Sequence, residues 1–272
     1  FIAPKFLYDR LGSALFRAIC ELDEYYPTRT EAAILARCAG EIGRSLGQGA
    51  TLVDLGAGDC VKAQRLFEAV DVGQYVAVDI STSHLRDALG EAWRARPDIR
   101  MVGLGLDFSA GLALPDIVDG RRRVFFYPGS SIGNFSPAEA CTFLRGLRTQ
   151  TDTEGGLLIG VDLEKALDVL VPAYDDALGV TAAFNLNLLR NVNRLLGTDF
   201  DPLHWAHRAL YDTDEHRIEM RVRARCNLTV SWPGGARRFA EGDEIHTENS
   251  YKYTPARFEA LLAESGFEVR RA

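Results

Sequence analysis

Apolar positions change rhythm twice along the chain. From Leu11 to Leu22 and from Glu31 to Ile42 they recur at helical spacing, with Tyr25-Tyr26-Pro27-Thr28-Arg29 between them reading as a turn. From Thr51 onward, short apolar runs alternate with amphipathic stretches. Thr51–Leu55, Tyr75–Ile80, Ile99–Leu104, Arg123–Tyr127 and Gly156–Val161 read as strands. Helices are expected from Val61 to Val70 and from Ser83 to Arg94. Another starts where Ser136 caps, Pro137 takes the first helical position and Glu139 completes a capping box. Strand–helix alternation of this kind predicts an α/β fold, a parallel sheet covered by helices on both faces.

After Asp162 the alternation stops. Residues 164–200 read as helical. Extended segments follow without interleaved helices, Ile218–Leu228 and Leu228–Trp232 among them, with Pro233-Gly234-Gly235 as a hairpin turn. Thr254-Pro255 opens a last helix that ends before Gly266, and Phe267–Arg270 reads as a further strand. The pattern therefore predicts a parallel-sheet domain of residues 32–163 and 252–272, interrupted by an inserted α+β domain. Residues 1–31 and 164–251 form that second domain, which the N-terminal helices join.

Composition narrows the partners. The 272 residues are 47% hydrophobic and 25% charged, ordinary for a soluble globular chain. A net charge of −7 argues against nucleic acid as a substrate, since phosphate binding needs a basic surface, and Arg121-Arg122-Arg123 is too short a run to reverse that. No apolar run approaches the roughly 18–20 residues of a membrane helix, and no signal-peptide pattern opens the chain. Five cysteines without paired spacing suggest neither a zinc site nor a disulfide framework and fit a reducing cytoplasm. His204 and His207 stand at helical spacing but have no third ligand, so no metal is expected. No obligate protein partner is implied. The sequence starts at Phe1, and a natural product longer at its termini is expected.

Open α/β sheets bind ligands beyond the carboxyl ends of their strands. After the first strand comes Gly56-Ala57-Gly58-Asp59, whose glycines allow close backbone approach at a helix N-terminus. The second strand ends at Asp79, where a carboxylate can hold both ribose hydroxyls. The third leads to Asp107-Phe108, suited to an exocyclic amine and an adenine ring. The fourth runs into Gly129 and, after Ser130-Ser131-Ile132-Gly133, into Asn134. A nicotinamide dinucleotide is disfavoured, because Lys62 and Ala63 occupy the place of the third glycine of G-x-G-x-x-G. S-adenosylmethionine, which has no phosphate, fits better.

Several longer strings are more discriminating than the glycine turn. They are Leu7-Tyr8-Asp9 with Gly12-Ser13, Glu24 through Glu31, Pro128-Gly129-Ser130-Ser131-Ile132-Gly133-Asn134-Phe135, Ala173-Tyr174-Asp175-Asp176, Phe184-Asn185-Leu186-Asn187, Arg217-Ile218-Glu219-Met220 and Thr247-Glu248-Asn249-Ser250. In these strings, almost end to end, the chain resembles the S-adenosylmethionine-dependent histidine Nα-methyltransferases of ergothioneine biosynthesis. The resemblance implies a Rossmann-like methyltransferase sheet with an inserted substrate-binding domain. It also implies transfer of methyl groups to the α-amine of histidine, giving the trimethylated betaine hercynine. By the same likeness Gly56, Lys62, Asp79, Asp107, Phe108 and Gly129 contact the methyl donor, with Tyr8 near the transfer centre. Asn134 and Tyr174 hold the carboxylate and amine region, Tyr25, Glu248 and Ser250 receive the imidazole, and Thr181 and Met220 line the pocket. Tyr8, Asn134 and Tyr174 are the candidates closest to the chemistry. The chain departs from the family pattern at Asp59-Cys60-Val61, at Tyr251 and in lacking a closing hairpin after Arg271.

Glu248 and Ser250, two apart, share one face of any strand and can offer an acceptor and a hydroxyl to the two nitrogens of one imidazole. A surface strand with polar residues outward has the same spacing. Other readings are a relative acting on another amino acid or amine, a non-catalytic binding protein that keeps the fold, and the disfavoured nicotinamide oxidoreductase.

Overall fold

A computed structural model describes residues 1–108 and 111–272, in two compact units. One comprises Phe1–Thr28 with Leu163–Lys252, the other Arg29–Asp162 with Tyr253–Ala272. In chain order the helices are α1 (Arg10–Cys20), α2 (Tyr26–Leu46), α3 (Val61–Gln64), α4 (Thr82–Ala95), α5 (Pro137–Thr149), α6 (Leu167–Leu170), α7 (Val180–Leu196) and α8 (Pro255–Glu264). The strands are β1 (Gln48–Leu55), β2 (Asp71–Asp79), β3 (Arg100–Gly105), β4 (Arg123–Tyr127), β5 (Gly156–Ile159), β6 (Trp205–Asp212), β7 (Arg217–Ala224), β8 (Leu228–Trp232), β9 (Gly235–Phe239) and β10 (Glu244–Tyr251).

Every side chain from Ala50 to Leu55 is buried, the mark of a strand covered on both faces. β1 accordingly sits at the centre of a parallel sheet of order β3-β2-β1-β4-β5. The order reverses at β1. Right-handed crossovers then send α4, between β2 and β3, to one face and α5, between β4 and β5, to the other. Leu52, Leu66, Phe67, Tyr75, Ala77 and Phe126 belong to the core beneath α4. Truncating Leu52, fully buried there, costs about 2–5 kcal/mol. The capping box at α5 forms as the sequence predicts: the Ser136 hydroxyl accepts from the Glu139 N–H while the Glu139 carboxylate accepts from the Ser136 N–H at 2.8 Å.

The other unit is built on the antiparallel sheet β10-β7-β6. β8 and β9 pair separately as a hairpin, turning through Pro233-Gly234 with Gly234 at φ 95°. α7 packs on β6 and β7, and its buried residues Phe184, Leu188 and Val192 meet Trp205, Met220 and Val222. The asparagines of α7 point into this core because each has a partner. Asn187 donates to Asp9 Oδ1 at 2.8 Å and Asn191 to the Phe6 carbonyl at 2.7 Å. Asp9 also caps α1 by accepting from the Gly12 N–H at 2.8 Å. A Cβ at Gly12 would lie 1.7 Å from the Leu7 carbonyl oxygen, so only glycine allows that approach. The Leu7-Tyr8-Asp9…Gly12 and Phe184–Asn187 strings are thus two sides of one joint.

Some expected elements differ. Tyr26-Pro27-Thr28-Arg29 does not form a turn but opens α2, with the bend lying just before it at residues 21–24, because Pro27 suits a first helical turn. The helix expected over 61–70 stops at Gln64, where i→i+3 bonds such as Leu66 N–H to Ala63 O tighten the chain. Residues 164–200 contain two helices, parted by residues 171–179 with Gly179 at φ 74°. The extended stretch 218–228 breaks after Ala224, so it contributes to two sheets. Phe267–Arg270 forms no strand: Gly266, at φ 84°, ends the last helix, and residues 268–272 are exposed without a ladder partner.

At the sheet's edge the chain leaves this unit after Asp162 and returns at Tyr253. The Tyr253 N–H donates to the Asp162 carbonyl at 3.2 Å, joining the points of departure and return.

Candidate active site

In the parallel-sheet unit, the predicted donor residues other than Tyr8 follow the carboxyl ends of β1, β2, β3 and β4. β1 turns through Gly56 (φ 74°) and Gly58 (φ 54°), where a glycine-free chain would be strained. Asp79, at the end of β2, accepts from the Gly58 N–H at 3.0 Å through one oxygen and from the Ser81 N–H at 2.8 Å through the other. Each oxygen keeps a lone pair, so the carboxylate can still take two vicinal hydroxyls. A Cβ at Gly56 would lie 3.9 Å from Phe108 Cζ, so the turn and that ring face each other with room for an ordinary contact. Phe108 also meets Tyr127 edge-on at 5.9 Å between ring centroids, and Asp107 precedes it. Two non-glycine residues, Cys60 (φ 61°) and Ser130 (φ 56°), hold left-handed conformations next to these turns.

Glu31, on α2, ties the third corner together. Its Oε1 accepts from the Gly129 N–H at 2.6 Å, and its Oε2 lies 2.6 Å from Lys62 Nζ. Gly129 and Lys62 are thereby held side by side: a Cβ on Gly129 would come within 3.1 Å of that ammonium. Asn134 ends a short 3-10 turn, Ser131–Asn134, immediately beyond β4. Asp54, buried on β1, accepts from the Tyr75 hydroxyl at 2.8 Å; burial lifts its carboxyl to about 7 against that bond and the pull of Lys62. Burial also pushes the Cys60 thiol up to about 11, so it stays protonated and inert near neutral pH. Glu31 and Asp54 were not singled out from the sequence, since a residue that works by holding another side chain has no spacing signal. A groove of about 570 Å³ between α4 and β3, lined by Leu85, Arg86, Trp93 and Met101, contains none of the predicted residues.

The other unit carries the predicted substrate residues apart from Asn134, and Tyr8 with them. Tyr8 packs edge-on against Phe16 and Phe184, Phe16 against Tyr25, and Tyr25 against Tyr174, with centroids 5.5–6.2 Å apart. Burial raises the Tyr25 phenol well above its usual range. The neighbouring Tyr174, Cys20, Tyr8 and Glu248 push the same way, so Tyr25 acts as a phenol and not as a base. Glu248 and Ser250 lie on β10 with only 8% and 6% exposure, which removes the surface-strand alternative. Tyr174 Oη and Ser250 Oγ are 2.8 Å apart. Met220 pairs with Glu248 across β7 and β10, and the buried Thr181 donates its N–H to Asp176 Oδ2 at 2.7 Å. His204 and His207 are not on a helix: His204 closes a 3-10 turn and His207 lies in β6. The buried His207 ring holds Tyr174 by its backbone, with Nε2 2.8 Å from the Tyr174 carbonyl oxygen, while Nδ1 sits 2.9 Å from the Asn185 amide.

The side chains of the parallel-sheet unit suit S-adenosylmethionine. A carboxylate with two open lone pairs, a second carboxylate beside an aromatic ring, an ammonium and two exposed glycine turns match a diol, an adenine, a carboxylate and a chain needing close backbone approach. Comparisons with known proteins agree. The family described as histidine-specific methyltransferase, SAM-dependent, matches residues 1–272. A histidine N-alpha-methyltransferase of Mycolicibacterium smegmatis is 42% identical, over 97% of this chain and 84% of that protein. The protein of the same name from Mycobacterium tuberculosis is 38% identical over the same shares. Ergothioneine biosynthesis protein 1 of Neurospora crassa is 32% identical over 96% of this chain, which spans 30% of that longer protein. The chain belongs to the S-adenosylmethionine-dependent histidine-specific methyltransferase family.

Proposed function

We propose that this protein transfers methyl groups from S-adenosylmethionine to the α-amine of histidine, giving the trimethylated betaine for ergothioneine synthesis. The observation that carries the substrate is the buried Glu248–Ser250 pair beside Tyr25 and Tyr174. An acidic acceptor and a hydroxyl on one strand face, walled by aromatic rings, complement the two nitrogens of an imidazole. Bound S-adenosylmethionine supplies an electrophilic methyl on a sulfonium.

The chain's own residues orient and desolvate. Asp79, Asp107, Phe108, Gly56, Lys62 and Gly129 would hold the donor, and the family likeness assigns Asn134 of the one unit and Tyr174 of the other to the carboxylate and amine region of histidine. The same likeness assigns Tyr8 to the transfer centre. Such positioning can supply several kcal/mol, roughly the gain of making a bimolecular step unimolecular. The amine must be neutral to attack, and a neighbouring positive charge and burial both favour loss of its proton. Aromatic faces such as Tyr174 suit the quaternary nitrogen that forms last. A reducing, cytoplasmic setting fits five free cysteines, and no helix among the described residues is long and apolar enough to cross a membrane.

Incubation of the protein with histidine and S-adenosylmethionine should yield mono-, di- and finally trimethylated product by mass spectrometry. Release of S-adenosylhomocysteine with another amino acid but not with histidine would reject the substrate assignment.

A further inference from the structure

The side chain most completely enclosed in the substrate-binding unit, among those bearing a charge, is that of Lys252, with no exposed surface. Its ammonium donates to Tyr174 Oη at 2.9 Å and to Ser250 Oγ at 2.9 Å. The two oxygens are themselves hydrogen-bonded at 2.8 Å, and the same ammonium stands 4.8 Å from the Tyr174 ring centroid. Three polar groups therefore close a triangle at the end of β10. Its backbone is anchored, too, since the Lys252 N–H donates to the His216 carbonyl at 2.8 Å.

The protons of this triangle can be counted. An ammonium only donates, so each hydroxyl oxygen spends one of its two lone pairs on Lys252. Of the two hydroxyl protons, one is consumed in the Tyr174–Ser250 bond. One O–H is left to point away from the triangle, with one unused lone pair. When Tyr174 donates to Ser250, the outward proton belongs to Ser250. Ser250 then becomes a donor, its oxygen filled by Lys252 and Tyr174. Glu248, two residues earlier on the same strand, is an acceptor when ionised. A neutral imidazole has one N–H and one bare nitrogen, and this pair of groups is its complement.

We infer that Lys252 is the specificity-determining positioning residue of the imidazole subsite: by donating to both hydroxyls it leaves the Tyr174–Ser250 pair one outward O–H, the donor to the unprotonated ring nitrogen, while Glu248 takes the N–H. The inference rests on the histidine reading above. Without the ammonium, a further lone pair opens on each hydroxyl, so the pair can accept from the ring N–H as readily as it donates, and the bare ring nitrogen loses its dedicated donor. A buried cation costs several kcal/mol in desolvation, and an apolar side chain of similar volume generally packs as well. Its retention within hydrogen-bond reach of the Tyr174 and Ser250 hydroxyls is what selectivity for a nitrogen ring requires.

The test measures affinity, by calorimetry with S-adenosylhomocysteine present, for histidine and for β-(2-thienyl)alanine, whose ring has similar shape and neither nitrogen. Lys252→Met is expected to weaken histidine by about tenfold or more and to leave thienylalanine within about threefold, as for the loss of one hydrogen bond that reads the ring. Affinity for S-adenosylhomocysteine should not change. Combining Lys252→Met with Ser250→Ala should weaken histidine no further than Ser250→Ala alone, because one residue acts through the other. Lys252→Gln keeps an N–H donor without the charge; it should fall between wild type and Lys252→Met, and it decides the matter if the methionine chain does not fold. Equal weakening of both ligands, or full additivity with Ser250→Ala, would show a merely structural lysine and overturn the inference. Turnover of histidine by the wild type is measured alongside. Its absence overturns the functional reading, whereas turnover with an unchanged histidine-to-thienylalanine ratio in the variants overturns only the role of Lys252.

Discussion

Asp79 shows how one residue serves two ends. It organises the glycine turn through the Gly58 N–H and still has lone pairs for a diol. Replacing it with alanine leaves two backbone donors unpaired and removes a charge-assisted contact, so donor affinity should fall by roughly 10- to 100-fold in calorimetry. Asp54 makes a different prediction. Its carboxyl is raised from 3.8 to about 7, so the folded chain holds a proton that the unfolded chain releases near pH 4. Stability from this group is therefore present below about pH 4 and is lost as pH rises toward 7, by up to about 4 kcal/mol. Asp54→Asn should flatten that component when urea midpoints of both chains are compared across pH 4–8. Much of the candidate site could be read from residues that end strands or share a strand face, such as Asp79, Glu248 and Ser250. Glu31 and Asp54 could not, because each acts on a side chain distant in sequence, and Lys252 could not because half of its triangle, Tyr174, lies far back in the chain.

Elements were legible where a local rule and the fold agree. Ser136-Pro137 with Glu139 predicted the start of α5, and Thr254-Pro255 that of α8, whose cap accepts from the Arg257 N–H. Ser136→Ala should cost about 1 kcal/mol, seen as a lowered melting temperature with donor affinity unchanged. Where local rules misled, partners were decisive. Phe267–Arg270 has strand-forming residues, but a strand exists only with a neighbour to pair with. Residues 61–70 carry an apolar pattern fit for a helix, yet tight turns bury Leu66, Phe67 and Val70. A Cβ on Gly43 of α2 would come within 1.8 Å of the Ala69 carbonyl oxygen, so that helix rests directly on the turned backbone.

At the scale of the whole molecule, the alternation of strands and helices announced the parallel sheet, and its loss after Asp162 announced something else. The pattern could not show which distant pieces complete each unit. α8 is one such piece: it packs on α5, where Arg145 and Arg148 bond to Glu264 and to the Gly266 carbonyl. Ending the chain at Lys252 strips that cover from α5, and the shortened protein should lose donor binding and aggregate in size-exclusion chromatography. The hydrogen bond from Tyr253 to Asp162 has an evolutionary corollary. Residues 163–252 form an excursion whose mouth is already pinned shut, so a lineage can rewrite, lengthen or exchange this cassette while the machinery that grips the methyl donor is inherited intact. New amine acceptors are then reached by editing the cassette together with the first 28 residues.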